Sequence, residues 1–198
     1  MIDKNRKKTL TILSLGAGVQ SSTMALMSAK GELPKVDCAI FADTGYEPVG
    51  VINYLHYLKS ILPYPVYLVS KGNIKNDMLK AKNTSNFVVA PFFNQHSITG
   101  KKGMIRRQCT NDYKIQPIKK KIRELCNIGF GKHFPKDKYV EQWIGISKDE
   151  IQRMKPARDP YILNIHPLIE ANMSRQDCLN WMKKNNFKMP TKSACICC

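Results

Sequence analysis

Nine consecutive residues constrain this chain most: Ser14-Leu15-Gly16-Ala17-Gly18-Val19-Gln20-Ser21-Ser22. The apolar run over 10–15 leads into them and reads as a first β-strand. Thr23-Met24-Ala25-Leu26-Met27 follows and reads as a helix. A strand, a small-residue loop and a helix start, in that order, form a place to hold a phosphate. The free N–H groups of the first helical turn point at the ligand, and the helix dipole favours negative charge there. Glycines let the backbone approach closely, and serine hydroxyls add donors. The loop is not a Walker loop, because no Gly-Lys-Ser/Thr follows. Nor is it the dinucleotide fingerprint, because a third glycine is missing three residues on. An ordinary strand-to-helix turn also uses Gly and Ser, so the loop alone leaves that reading open.

The rest of the chain extends the pattern. The run over 36–42 is almost continuously apolar, as in a parallel strand covered on both faces, and ends at Asp43-Thr44-Gly45. A helix is expected over 47–62, with Pro48 tolerated in its first turn, then a strand over 65–70 and a short helix over 73–82. The stretch 87–103 has no periodicity and reads as a long loop. Tyr113 to Leu125 places Ile115, Ile118, Ile122 and Leu125 at helical spacing, which predicts one apolar face with the basic residues opposite. A strand is expected over 138–146, a helix start at Ser147-Lys148-Asp149-Glu150, and an extended segment over 161–165. Ser174-Arg175-Gln176-Asp177 has the form of a capping box, opening a helix to about Lys184.

Strands alternating with helices predict right-handed βαβ units. The expected fold is α/β: a three-layer doubly wound sheet of about five mostly parallel strands with helices on both faces. With 198 residues, one domain over 1–198 is expected, ending in a Cys-rich tail at about 190–198. In such sheets ligands sit beyond the carboxyl ends of the strands, where both the glycine loop and Asp43-Thr44-Gly45 fall.

No apolar run approaches the ~20 residues of a membrane helix. The charged N-terminus is not followed by a signal-peptide core, so a cytoplasmic location is expected. Seven cysteines then suggest metal ligands, reactive thiols or core fillers rather than disulfides. The formal net charge of +17 points to a polyanionic partner, or to a lysine-rich background composition. The charge is concentrated: 101–123 holds nine Lys/Arg, including Arg106 and Arg107, against Asp112 alone.

Three segments resemble the phosphoadenosine phosphosulfate (PAPS) reductase family, within the PP-loop ATP pyrophosphatases or adenine nucleotide alpha hydrolases. They are the loop from Ser14 to Ser22, Phe41-Ala42-Asp43-Thr44-Gly45-Tyr46, and Cys109-Thr110-Asn111-Asp112-Tyr113-Lys114-Ile115-Gln116-Pro117-Ile118. The last resembles a Cys-Cys-x-x-x-Lys-x-x-Pro-Leu segment, with Thr110 in place of the second cysteine. The resemblance implies a five-stranded parallel sheet of the HUP type. It implies an adenine nucleotide held by Ser14, Gly16, Ala17, Gly18, Gln20, Ser21 and Ser22, with Asp43, Thr44 and Gly45 beside it. It also implies attack at the α-phosphate, usually with Mg²⁺, for which Asp43, Lys114 and Arg107 are the catalytic candidates, with Arg106 as an alternative cation. Trp143-Ile144-Gly145-Ile146-Ser147-Lys148-Asp149-Glu150 resembles the region that normally carries an arginine for the phosphosulfate. Ser147 stands in its place, which favours ATP over PAPS. Gly145, Ser147, Glu150 and Arg153 are further site candidates.

Lys192-Ser193-Ala194-Cys195-Ile196-Cys197-Cys198 resembles the family's later Cys-x-x-Cys. Cys109, Cys195 and Cys198 are the implied ligands of a [4Fe–4S] cluster with one open iron. Cys197 is an alternative ligand, and a Zn²⁺ site of four thiolates or no metal at all are the other readings. Cys38 and Cys178 read as core, and Cys126 is undecided. The family's tail normally runs further, so truncation or loss of part of the site is implied. The functional expectation is adenylylation of an acceptor with pyrophosphate release. The acceptor is a tRNA or DNA held by the basic segment, with sulfur from a separate donor. A degenerate nucleotide- or nucleic-acid-binding protein and a PAPS/APS reductase releasing sulfite are the alternatives.

Overall fold

A computed structural model describes residues 6–80, 93–95, 99–104 and 108–196. Five parallel strands form one sheet: β1 (Lys7–Leu15), β2 (Cys38–Asp43), β3 (Val66–Ser70), β6 (Lys138–Ile144) and β7 (Ile162–Ile165), in the order β3-β2-β1-β6-β7. The short helix α3 (Ile74–Lys80) follows β3, and a short antiparallel pair, β4 (Phe93–Gln95) and β5 (Lys102–Met104), stands apart within the stretch expected to be loop.

Strand alternation divides the core into two layers. Leu13, Leu15, Ala39, Phe41 and Trp143 face α1 (Val19–Lys30), α2 (Val49–Ile61), α5 (Pro167–Glu170) and α6 (Arg175–Lys184). Ile12, Cys38, Ile40, Ala42 and Val140 face α4 (Gln116–Leu125) and Tyr161. Both faces are thus covered, which is why β2 is apolar from Cys38 to Ala42. Each fully buried Ile or Leu contributes about 1.5–3 kcal/mol. Cys38 and Cys178 are core residues, as expected, and Cys126 packs at the edge of the second layer. Burial pushes the Cys38 thiol up to about 12 and the Cys178 thiol up to about 11. Neither is a ready nucleophile.

One predicted helix is corrected. Thr110–Ile115 is a π-helical turn, and α4 proper begins at Gln116. The wider turn adds residues and shifts the helical phase. Tyr113 therefore faces inward, and Ile115, expected on the apolar face, is 42% exposed, while Ile118 and Ile122 stay buried. The helix expected at Ser147 is instead a 3₁₀ turn, Lys148–Arg153, with a break at Glu150. The capping box forms as predicted: Ser174 and Asp177 each bond the other's backbone N–H.

From β1 the chain builds outward to β3, then returns to place β6 on the other side of β1. The gap between the carboxyl ends of β1 and β6 is the topological switch point.

Candidate functional site

The glycine loop lies at this switch point. Gly18 is the N-cap of α1 and offers no side-chain cap, so the first-turn amides are left for an external acceptor. The Gly16 N–H donates to Ser21 Oγ at 3.1 Å, and Ser21 Oγ lies 3.4 Å from the Gly18 carbonyl. Ser21 thereby braces the loop. Ala17 is buried in the left-handed region at φ 51°, a strain of about 1 kcal/mol or more. Ser14 is engaged elsewhere, accepting from Gln142 Nε2 of β6 at 2.7 Å. Ser22 Oγ is wholly buried and faces the Tyr54 hydroxyl without a hydrogen bond of good geometry. Burial pushes that phenol up to about 12, with Ser22 drawing it back in part.

Gln20 joins the loop to the segment after β6. Its Nε2 reaches Ser147 Oγ at 3.4 Å and Glu150 Oε2 at 3.2 Å. Its Oε1 accepts from the Arg175 guanidinium at 3.3 Å. Gly145 permits this meeting, since a Cβ there would lie 2.9 Å from the Ser21 nitrogen. Ser147, fully buried, fills the place that the resemblance assigns to arginine. Its hydroxyl holds the Asp149 carboxyl below the usual range. Arg153 neutralises Glu150 at 2.7 Å.

At the end of β2, the Gly45 N–H donates to Asp43 Oδ1 at 2.7 Å, and the Thr44 hydroxyl donates to Glu47 Oε1 at 3.0 Å. The Glu47 side chain is only 3% exposed, and its cation is Lys114 at 3.8 Å. Lys114, the expected catalytic cation, therefore sits paired to a buried carboxylate. Sequence reading missed Glu47 because it precedes Pro48 at a predicted helix start, where acids are common.

The C-terminal segment closes over this corner. Thr191 lies against Gly50, the Ile196 N–H donates to the Tyr46 carbonyl at 3.0 Å, and a Cβ at Gly18 would collide with the Ser193 hydroxyl. Cys195 is buried beside that bond. Cys109 is buried with Ile74 and Tyr113, and Tyr46 packs on them. Tyr46 thus links the surroundings of both cysteines. Arg106, Arg107, Cys197 and Cys198 lie outside the described residues. Among the described residues, no group of three or more His, Cys, Asp or Glu could hold a metal ion, and no helix is long and apolar enough to cross a membrane.

The basic segment forms a separate feature. Between α4, the end of β3 and the turn over 127–133 lies a groove of about 1220 Å³. Arg175 and Ser193 were also unforeseen, since each reaches the loop from more than 150 residues away.

The chain matches no protein-family model and no curated protein. Among solved structures it is similar to a phosphoadenylyl-sulfate (PAPS) reductase from Candida auris, determined as a phosphate complex. The TM-score is 0.58 at 13% identity, over 92% of this chain and 75% of that one. At that identity the likeness is one of architecture, and this chain has a PAPS reductase-like α/β fold.

Proposed function

We propose that this chain binds an adenine nucleotide, with ATP favoured, and uses it to adenylylate an acceptor. The observation that carries the reading is the uncapped first turn of α1 at the β1–β6 switch point, with Asp43 on the neighbouring strand end. Phosphates would sit on the amides of the loop and first turn. Asp43 would face the nucleotide and its Mg²⁺. Lys114, held beside Glu47, and Arg107 would stabilise charge at the α-phosphate. The acceptor oxygen bonds to that phosphorus, the bond to the bridging oxygen breaks, and pyrophosphate leaves. The acceptor would be a nucleic acid drawn in by the basic segment; sulfide-level sulfur would then bond to the carbon bearing the adenylylated oxygen, and that carbon–oxygen bond would break to release AMP. Cys109 and Cys195, both buried near Tyr46, suit thiolate ligation of an iron–sulfur cluster or Zn²⁺ with Cys198 or Cys197. Such a centre would bind or carry sulfur.

PAPS is the second reading, favoured by the Arg175 guanidinium at Gln20, which could supply the cation that Ser147 lacks. Calorimetric titration of anaerobically purified protein with ATP and with PAPS separates the two. Expected are ATP binding, loss of at least tenfold affinity in Asp43→Ala, and pyrophosphate release on adding acceptor. Binding of neither nucleotide overturns the proposal, and sulfite release from PAPS replaces it with the second reading.

A further inference from the structure

The groove beside α4 has no part in the nucleotide site, yet it is built for a ligand of defined chemistry. Five Lys/Arg line it against two acids. Both acids are already countered: Asp112 by Lys71 at 3.6 Å and Glu124 by Lys121 at 2.6 Å. Lys120 and Lys132 are exposed and have no anionic partner among the described residues. Two unneutralised ammonium groups therefore face one concave surface.

The turn over 127–133 adds an aromatic plate. Phe130 is fully exposed, the only aromatic among the exposed large hydrophobic side chains of the described residues. It is not on a loose tip. The Arg123 guanidinium donates to the Gly129 carbonyl at 3.0 Å and to the Lys132 carbonyl at 2.5 Å, bracketing Phe130 on both sides. Arg123 is thus spent on holding the turn, and the ring is presented rather than buried.

Cations along a groove with an exposed ring at its lip match the chemistry of unpaired nucleotides, whose phosphates and base faces are both accessible. A duplex hides its base faces, leaving Phe130 nothing to stack on. A membrane surface would need a wider apolar face, and Ile118 and Ile122 of α4 are buried against the sheet. The volume exceeds the range usual for a drug-sized ligand, which suits a polymer.

We propose that this groove binds a single-stranded segment of nucleic acid, with Lys120 and Lys132 on backbone phosphates and Phe130 stacked on a base. Its edge adjoins the proposed nucleotide site. Ser70, at the groove's edge, pairs directly with Asp43 in the β2–β3 ladder. Only this adjacency rests on the nucleotide reading; the binding does not.

The test is fluorescence anisotropy of labelled dT12 and U12 on the full chain without nucleotide, at two salt concentrations. Expected is binding of at least one oligomer. Phe130→Ala should weaken it roughly 5- to 150-fold, the range of one base stack. Lys120→Gln with Lys132→Gln should reduce the slope of log affinity against log salt by about 1.4, for two phosphates. All three side chains are exposed, and unchanged thermal unfolding confirms that the variants fold. No binding of either oligomer at low salt overturns the proposal. So does wild-type affinity in all variants, equal affinity for a duplex, or a Phe130-dependent preference for phosphatidylserine vesicles over both oligomers. A protein that binds dT12 or U12 but no ATP leaves this proposal standing and removes the nucleotide reading; the converse result removes this proposal alone.

Discussion

At the β1–α1 corner, the groups facing the proposed phosphate position are amides and hydroxyls. The nearby acids Glu47 and Glu150 are each matched by a cation, Lys114 and Arg153. Across β2 and β3, the α4 corner is built the other way, with long side chains, an excess of lysine and an open groove. A net charge of +17 is therefore not spent on the glycine loop. Amide sites choose a ligand by shape, because their dipoles are fixed by the backbone. Lysine grooves choose by charge density, and salt screens them. The chain thus presents one surface suited to a compact phosphate chain and another suited to an extended polyanion.

The largest effect is expected where the amide corner depends on close backbone packing. Gly145→Val forces a side chain onto the Ser21 nitrogen, where even a Cβ would lie at 2.9 Å. Overpacking of this kind costs about 1–3 kcal/mol, or roughly 2–12 °C in Tm for a chain of this size. ATP affinity should fall with it while oligonucleotide affinity holds. Unchanged Tm and ATP affinity by calorimetry would show that the two segments do not pack as described. Salt gives the next contrast. Between about 50 and 200 mM, oligonucleotide binding through the two phosphates held by Lys120 and Lys132 should weaken roughly 7-fold. ATP binding, resting mainly on amides, should change less than about threefold over the same range. Parallel salt slopes would break the comparison.

The amide corner was the more legible of the two in sequence, and the reason is physical. The strand, the loop and the start of α1 are encoded by adjacent residues, as is the Ser174–Asp177 capping box, so their local chemistry predicts their form. The sheet followed from the alternation of apolar runs and helices. What escaped depends on contacts between distant residues or on a change of helical phase. Ile118 and Ile122 hold to the predicted period, but the π turn before them turns Ile115 out and Tyr113 in, where its hydroxyl donates to Asp77 at 2.5 Å. No spacing rule foresees that turn. Glu47, Arg175 and Ser193 reach the site from a pre-helical residue, a later helix start and the C-terminal strap. Each is an ordinary surface residue until the fold brings it in.

The smallest effect tests whether the amide corner depends on α6. Ser174 caps that helix, and Arg175 in its first turn holds Gln20 of the loop. Ser174→Ala should cost about 1 kcal/mol, or roughly 2–4 °C in Tm. The cost has a pH signature. Hydrogen bonds from Ser174 hold the Asp177 carboxyl below its ordinary value of 3.8, with Lys148 at 3.7 Å adding a smaller pull. A carboxyl depressed in the folded state adds stability that is present above its unfolded value and lost as pH falls through the folded one. The gap between wild type and variant should therefore be full near neutrality and shrink below about pH 4. Thermal unfolding at pH 7, 4 and 3 reads this directly. A gap that stays constant with pH would assign the cost to the lost cap alone. A fall in ATP affinity at neutral pH, with oligonucleotide binding unchanged, would tie α6 to the loop through Arg175 and Gln20.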